Sequence, residues 1–259
     1  MAQRRRPELT PRVGNPLMSD SMPPPLMPLQ VILVRHGETS WSLSGRHTGR
    51  TDLPLTGAGE LRASGLRALL RGVAFDHVLS SPLKRARRTC VLAGLGSAAA
   101  IDPDLQEWDY GDFEGLTTAE ICARRPGWNV FQDGCPGGES VGQVCLRADR
   151  LLARLATLGG SVALFSHGQF LRVLAARWIG QPVEAGRHLA LDTASISVLG
   201  YEHHEGDIPA ICVWNSGSDR VSGLSAPAAP GGPPSAGGLG RPENTPSSQI
   251  PPVRRRPTS

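Results

Sequence analysis

Two histidines in this chain sit between an apolar run and a glycine: residues 31–34 (VILV) end in Arg35-His36-Gly37, and residues 162–165 (VALF) end in Ser166-His167-Gly168. A short, wholly apolar run that breaks off at polar residues reads as a buried parallel strand leading into a functional loop. Two further positions join them as candidates for chemistry. Arg85 stands in SPLKRARRT, after the apolar run at 75–79, and Glu107 stands in EWDYGDFEG. Singly, each has an ordinary explanation: a histidine after a strand can be structural, and Arg85 can lie on the exposed face of a helix. Together they have the logic of phosphoryl transfer. A neutral imidazole can attack phosphorus in line, while two guanidinium forks and a second imidazole surround the phosphoryl oxygens. Unaided hydrolysis of phosphate monoesters is so slow, by up to about 20 orders of magnitude, that positioning and charge stabilisation have to supply most of the rate.

Each role sets a physical requirement. His36 must be unprotonated to attack, and flanking cations such as Arg35 and Arg85 disfavour its charged form. Glu107 must hand a proton to the departing alkoxide, a contribution of about 10² to 10⁴-fold, and Trp108 and Tyr110 are expected to give it the partly apolar setting that favours a protonated carboxyl. His167 can bring its ring and a nearby backbone N–H to the phosphate. Gly37 and Gly168 are expected to let the backbone approach the anion.

Strands and helices alternate so as to place these residues. Apolar runs at 31–34, 75–79 and 162–165 read as parallel strands, each ending in a polar cluster. Between them lie helical patterns, one carrying Leu61, Leu66, Leu69 and Leu70 after the N-cap candidate Thr56. Another, carrying Val141, Val144, Ala148, Leu151, Leu152 and Leu155, opens with Ser140 and Gln143 in capping-box spacing. Residues 170–179 read as a further helix, and residues 194–201 and 211–214 as a late edge hairpin. The expected fold is α/β, three layers α/β/α with a mainly parallel central sheet and polar groups gathered at the carboxyl ends of strands.

Composition marks off both ends. Residues 1–29 and 216–259, rich in Pro, Gly and Ser, are expected to be disordered tails around one domain at 30–215. The tails hold nine arginines and four acidic residues, whereas the body holds 18 basic and 19 acidic residues. The overall charge of +4 is therefore a property of the tails, and the body has no basic stripe of the kind that binds nucleic acid. Five cysteines, an odd number with no CxxC pair, point to reduced thiols and a cytoplasmic protein. No apolar run reaches the roughly 18 to 20 residues of a membrane span, and the N-terminus lacks the apolar stretch of a signal peptide. Met18, Met22 and Met27 all precede the first expected strand, so a translation start later than residue 1 is compatible with this reading.

Two rival motifs are weaker. Gly138-Glu139-Ser140-Val141-Gly142 fits GxSxG, but the preceding GCPG is no strand and Ser140 already serves as a helix cap. His203-His204, near Glu205 and Asp207, could bind a metal, but adjacent histidines on a strand face opposite ways and no second cluster supports them. No metal and no cofactor are expected.

The segments RHGETSW, SPLKRARRT, EWDYGDFEG and FSHG, in this order and at this spacing, resemble the signature segments of the histidine phosphatase, or phosphoglycerate mutase-like, superfamily, over residues 30–214. The resemblance implies that His36 is the phosphorylated nucleophile, that Arg35, Arg85 and His167 line the phosphate pocket, and that Glu107 is the proton donor. Cofactor-dependent mutases of the family carry a longer insertion after the Glu loop. This chain runs directly from EWDYGDFEGLTTAEI to RRPGWNVFQDGCPGGES and resembles the phosphatase branch. Ser42 stands where many relatives place an Asn at the phosphate pocket. The chain is also similar to sugar bisphosphatases acting on sedoheptulose bisphosphate and to bacterial acid phosphatases, in SGRHTGRTDLPLT, WNVFQDGC, HGQFLR and GYEHH. By that comparison Arg172 and one of His203 or His204 hold the distal part of a sugar phosphate, and Ser81, His47, Thr48 and Tyr110 lie near the substrate. His47 stands where the sugar enzyme has a Tyr, and Arg172 has an ordinary reading as a surface helix residue. The expected partner is a small phosphorylated metabolite, and a homo-oligomer is compatible with the reading. Two alternatives stay open: a phosphoglycerate mutase-type phosphotransferase, and a regulatory member that binds a phosphorylated ligand without turnover.

Overall fold

The central run Val31–Val34 is buried on both faces because alternate residues enter different cores: Val31 and Leu33 join one apolar cluster, Ile32 and Val34 the other. The computed structural model describes residues 29–202 and 208–217. The expectations for the tails, apart from residues 29, 216 and 217, and for the stretch 203–207 lie outside the described residues. Six strands form one sheet in the order β3-β2-β4-β1-β5-β6. They are β1 (Gln30–Arg35), β2 (His77–Ser80), β3 (Ala99–Ile101), β4 (Ser161–Ser166), β5 (Ile196–Tyr201) and β6 (Pro209–Ser216). β1, β2, β3 and β4 run parallel, whereas β5 is antiparallel to both β1 and β6. The mainly parallel sheet and the late hairpin are thus present, with β3 as an unforeseen edge strand.

The helices are α1 (Ser40–Leu43), α2 (Gly57–Leu70), α3 (Lys84–Leu92), α4 (Thr118–Arg124), α5 (Val130–Asp133), α6 (Val141–Leu158) and α7 (Gly168–Trp178). α2 starts where Thr56 accepts the Gly59 N–H at 2.9 Å, and it buries Ala63, Leu66 and Leu70 on one stripe. α6 starts at the Ser140–Gln143 capping box and buries Val144, Ala148, Leu151 and Leu155. It stops at Gly159, whose φ of 64° suits glycine.

α2 and α3 cover one face of the sheet, through Leu66, Leu70 and Cys90, while α6 and α7 cover the other, through Leu151, Leu155, Phe170 and Leu174. The helices that follow β1 and β4 therefore leave the sheet in opposite directions. The carboxyl ends of these two neighbouring strands, where the connections part, are the usual place for a ligand in such a sheet. The register pairs Arg35 with Ser166, which sets His36 beside His167.

Candidate active site

His36 and His167 meet at these strand ends with ring centroids 5.1 Å apart. The main chain fixes the His36 loop from two sides: its N–H donates to the Ser166 carbonyl at 3.0 Å, and its carbonyl accepts from the Ala194 N–H at 3.0 Å. Its ring Nδ1 lies 2.7 Å from the Gly37 carbonyl. A carbonyl only accepts, so Nδ1 carries the proton and Nε2 keeps the lone pair. Burial, then Arg85, then Arg35 hold the His36 imidazole well below its ordinary value, and the Gly37 bond opposes them.

Arg85, although it stands on helix α3, is completely buried. Its Nε donates to His167 Nδ1 at 3.1 Å, and its terminal nitrogens donate to the carbonyls of Thr51 (2.9 Å), Thr48 (3.0 Å) and Gly49 (3.0 Å). His167 therefore accepts at Nδ1 and carries its proton on Nε2, which donates to Ser81 Oγ at 2.8 Å. Burial, Arg85 and His36, in that order, keep His167 well below the ordinary imidazole value. Arg35 reaches the same pocket with fewer partners. One terminal nitrogen donates to the Leu191 carbonyl, and its buried Nε has no partner among the described residues. Burial lowers both guanidiniums from their ordinary value, and neither joins any of the ion pairs formed among the described residues.

The Glu107 carboxyl is buried against the start of α7. Oε1 accepts the amides of Trp108 (2.9 Å) and Phe170 (2.8 Å), and Oε2 accepts that of Gln169 (3.0 Å). The expected apolar neighbours are present, since Trp108 and Tyr110 are both buried. The carboxyl itself, however, is held by backbone donors at a helix N-terminus. Burial and Glu107 push the Tyr110 phenol well above its ordinary value.

The structure gives several predicted substrate contacts other work. Ser42 is not free to line a phosphate pocket. Its Oγ accepts the Thr39 N–H at 2.8 Å and donates to the Thr39 carbonyl, closing the capping box of α1. Thr48 offers its carbonyl to Arg85, while its hydroxyl donates to the Arg46 carbonyl at 3.2 Å. Ser81 is the partner of His167. His47 lies 4.6 Å from the Tyr110 ring and 5.3 Å from that of Trp128, and Nε2 contacts Thr118 Oγ1 at 3.1 Å. Arg172 is no free surface residue. It packs over Phe131 at 4.6 Å and donates to the carbonyls of Gly186 and Arg187 and to Gln169 Oε1. His203 and His204 lie outside the described residues.

The two glycines also differ from expectation. A Cβ at Gly37 would lie 2.6 Å from the Gly59 carbonyl, and its N–H already donates to Thr89 Oγ1 at 3.0 Å, so this glycine serves the close packing of α2. A Cβ at Gly168 would lie 3.2 Å from the Arg35 guanidinium, so this glycine makes room for that side chain. Glu114 was not foreseen. Its carboxylate accepts the N–H groups of Gly49 and Thr51 and so shapes the loop whose carbonyls hold Arg85. Nothing local in the sequence reveals a contact across more than 60 positions. Among the described residues no group of three or more His, Cys, Asp or Glu is arranged to hold a metal ion.

The buried neutral imidazoles fix a pH response. Because His36 binds a proton only well below 6.5, kcat/KM for a small monoester is expected to show no decline centred there; an acid limb with its midpoint at 6.5 would contradict this. His47 is lowered to about 4 by burial. Below 6.5 the unfolded chain binds a proton that the folded chain refuses, so stability falls as pH drops from 6.5 toward 4, and Tm of His47→Gln should fall less steeply over that window.

Known proteins similar to this chain point to one family. The family model described as histidine phosphatase superfamily (branch 1) matches residues 31–213. An acid phosphatase of Mycobacterium tuberculosis is 44% identical over 178 residues, which cover 67% of this chain and 87% of the relative. Sedoheptulose 1,7-bisphosphatase of Saccharomyces cerevisiae is 35% identical, covering 73% of this chain and 93% of the relative. A solved structure of an open reading frame from Mycobacterium tuberculosis aligns with a TM-score of 0.69 at 40% identity, covering 73% of this chain and 98% of that one. The chain belongs to the histidine phosphatase superfamily, branch 1.

Proposed function

We propose that this chain is a phosphatase that hydrolyses the phosphate monoester of a small phosphorylated metabolite, a sugar phosphate or bisphosphate, through a phosphohistidine on His36. The observation that carries the reading is charge. Arg85, fully buried, and Arg35, half-buried, set two guanidiniums beside two neutral imidazoles, and neither makes an ion pair among the described residues. Holding cations out of water without an ion pair is costly, and a phosphoryl group arriving with the substrate supplies an anion that can bond both guanidiniums directly.

In the first step the lone pair of His36 Nε2 attacks phosphorus and the bond to the ester oxygen breaks. Arg35, Arg85 and His167 surround the remaining phosphoryl oxygens as negative charge moves among them, His167 by turning its Nε2–H from Ser81 to the phosphoryl group. Glu107 passes its proton to the departing alkoxide. Oε1 accepts two amides and Oε2 one, so Oε2 is the oxygen with room for the transfer. In the second step the Glu107 carboxylate takes a proton from a water whose oxygen attacks phosphorus. The N–P bond breaks, inorganic phosphate leaves and His36 is neutral again. Each proton and charge is handled by the chain's own groups, so the scheme calls for no metal and no cofactor.

The names of the relatives support a sugar substrate, since one is a bisphosphatase of a seven-carbon sugar. Arg172 is the residue of this chain that would meet its far end. Its three described bonds leave N–H groups on both terminal nitrogens. We assign the activity to the domain at 30–215 and place the protein in the cytoplasm, on the strength of its odd cysteine count; among the described residues no helix is long and apolar enough to cross a membrane. The test is a panel of sugar monophosphates and bisphosphates in the presence of EDTA, compared between wild type and Arg172→Ala. Losing one charged hydrogen bond should raise KM about tenfold or more for a bisphosphate and little for a small monophosphate. Equal changes on both would refute the assignment of Arg172, and no turnover of any member would refute the phosphatase.

A further inference from the structure

We infer that Arg147 and Glu139 form a positioning pair that aims the Glu107 carboxyl for proton transfer, an inference that rests on the acid role proposed above for Glu107. Arg147 lies on α6, almost wholly buried, with its guanidinium 4.2 Å from the centre of the Phe170 ring. Nε and Nη2 make a two-point ion pair with Glu139 at 2.8 and 2.6 Å. The other N–H groups converge on one short stretch of main chain. Nη1 donates to the carbonyls of Asp104 (2.8 Å) and Gln106 (2.7 Å), and Nη2 to that of Glu107 (3.4 Å).

Glu139 grips the same stretch just beyond Glu107. Its Oε2 accepts the Asp109 N–H at 3.1 Å, its carbonyl accepts the Trp108 indole N–H at 2.9 Å, and its own N–H donates to the Asp109 carbonyl at 2.9 Å. A Cβ at Gly138 would lie 2.2 Å from that Asp109 carbonyl, so the turn before Glu139 lies flush on the loop. The GxSxG resemblance at 138–142 thus has a different meaning: a glycine for close approach, a glutamate for Arg147 and a serine to cap α6.

The pair touches both sources of the Glu107 hydrogen bonds. It ties down the main chain on either side of Glu107, including the Trp108 amide, and it stacks on Phe170, whose amide also holds Oε1. Proton transfer works within hydrogen-bond reach, and a displacement of about 1 Å can lower a rate about 10²-fold.

A leaving-group comparison separates positioning from mere support. A p-nitrophenolate departs without a proton, whereas an alkoxide needs one. The reading is the ratio of kcat/KM for glycerol 2-phosphate to that for p-nitrophenyl phosphate, which is independent of how much of a variant is folded. Glu139→Gln and Arg147→Lys are each expected to lower this ratio about 30-fold, and neither to lower it further in a Glu107→Gln background. The inference is overturned if the ratio stays within about threefold of wild type, or if the fall is as large without Glu107 as with it. Should Glu107→Gln alone leave the ratio unchanged, the acid role fails and this inference with it.

Discussion

Replacing His36 by alanine is expected to lower kcat/KM on every substrate together by about 10⁴-fold or more, because the group removed makes the bond that defines the pathway. The fold should survive the change. The contacts that locate residue 36 are main-chain bonds to Ser166 and Ala194, which alanine keeps. His36→Asn, of similar size and with no lone pair on a ring nitrogen, should be as inactive. Circular dichroism and Tm close to wild type, with the rate lost, is the expected pair of readings. A variant within tenfold of the wild-type rate would remove His36 from the chemistry.

The second large effect separates activity from stability. Neither Arg35, which is half-buried, nor Arg85, which is fully buried, makes an ion pair among the described residues, and they are held differently. Arg85 satisfies three carbonyls and His167, whereas Arg35 satisfies Leu191 and leaves its buried Nε without a partner among the described residues. Arg35→Met is therefore expected to lower kcat/KM by about 10² to 10³-fold, the scale of one missing donor to a developing charge. Its Tm should be unchanged or higher, because a partly desolvated charge with no ion pair and an unpartnered buried Nε are removed at the loss of one bond to Leu191. Inorganic phosphate should raise the Tm of wild type and raise that of the variant much less. Thermal scans with and without phosphate check this, and a marked fall in the Tm of Arg35→Met without phosphate would show that the side chain supports the fold more than the anion.

Much of this arrangement was legible from local signals. The runs at 31–34 and 162–165 had to be strands because alternate residues feed two cores, and the polar residues behind them had to meet once those strands became neighbours. Thr56 and Ser140 marked helix starts by chemistry that acts within three residues. What stayed hidden depends on partners far along the chain. β3 consists of Ala99, Ala100 and Ile101, too short and too poor in strand-forming residues to announce itself, and it forms only by pairing with β2. Arg85 was open to reading as an exposed helix residue, and no pattern in KRARRT tells that one arginine of several turns inward to Thr48, Gly49 and Thr51. Ser42 and Gly37 were given roles toward an anion. The structure uses them to cap α1 and to admit α2, because a short polar or missing side chain meets structural and functional needs with the same atoms.

The central claim is that phosphate passes through His36. Its most direct test is rapid acid-free quenching of the enzyme during turnover of a phosphate-labelled monoester, followed by peptide mapping. The account predicts label on the peptide carrying His36, stable in base, lost in mild acid, and absent from His36→Ala. An actively turning-over enzyme that never carries label there, or that carries it on another residue, would contradict it.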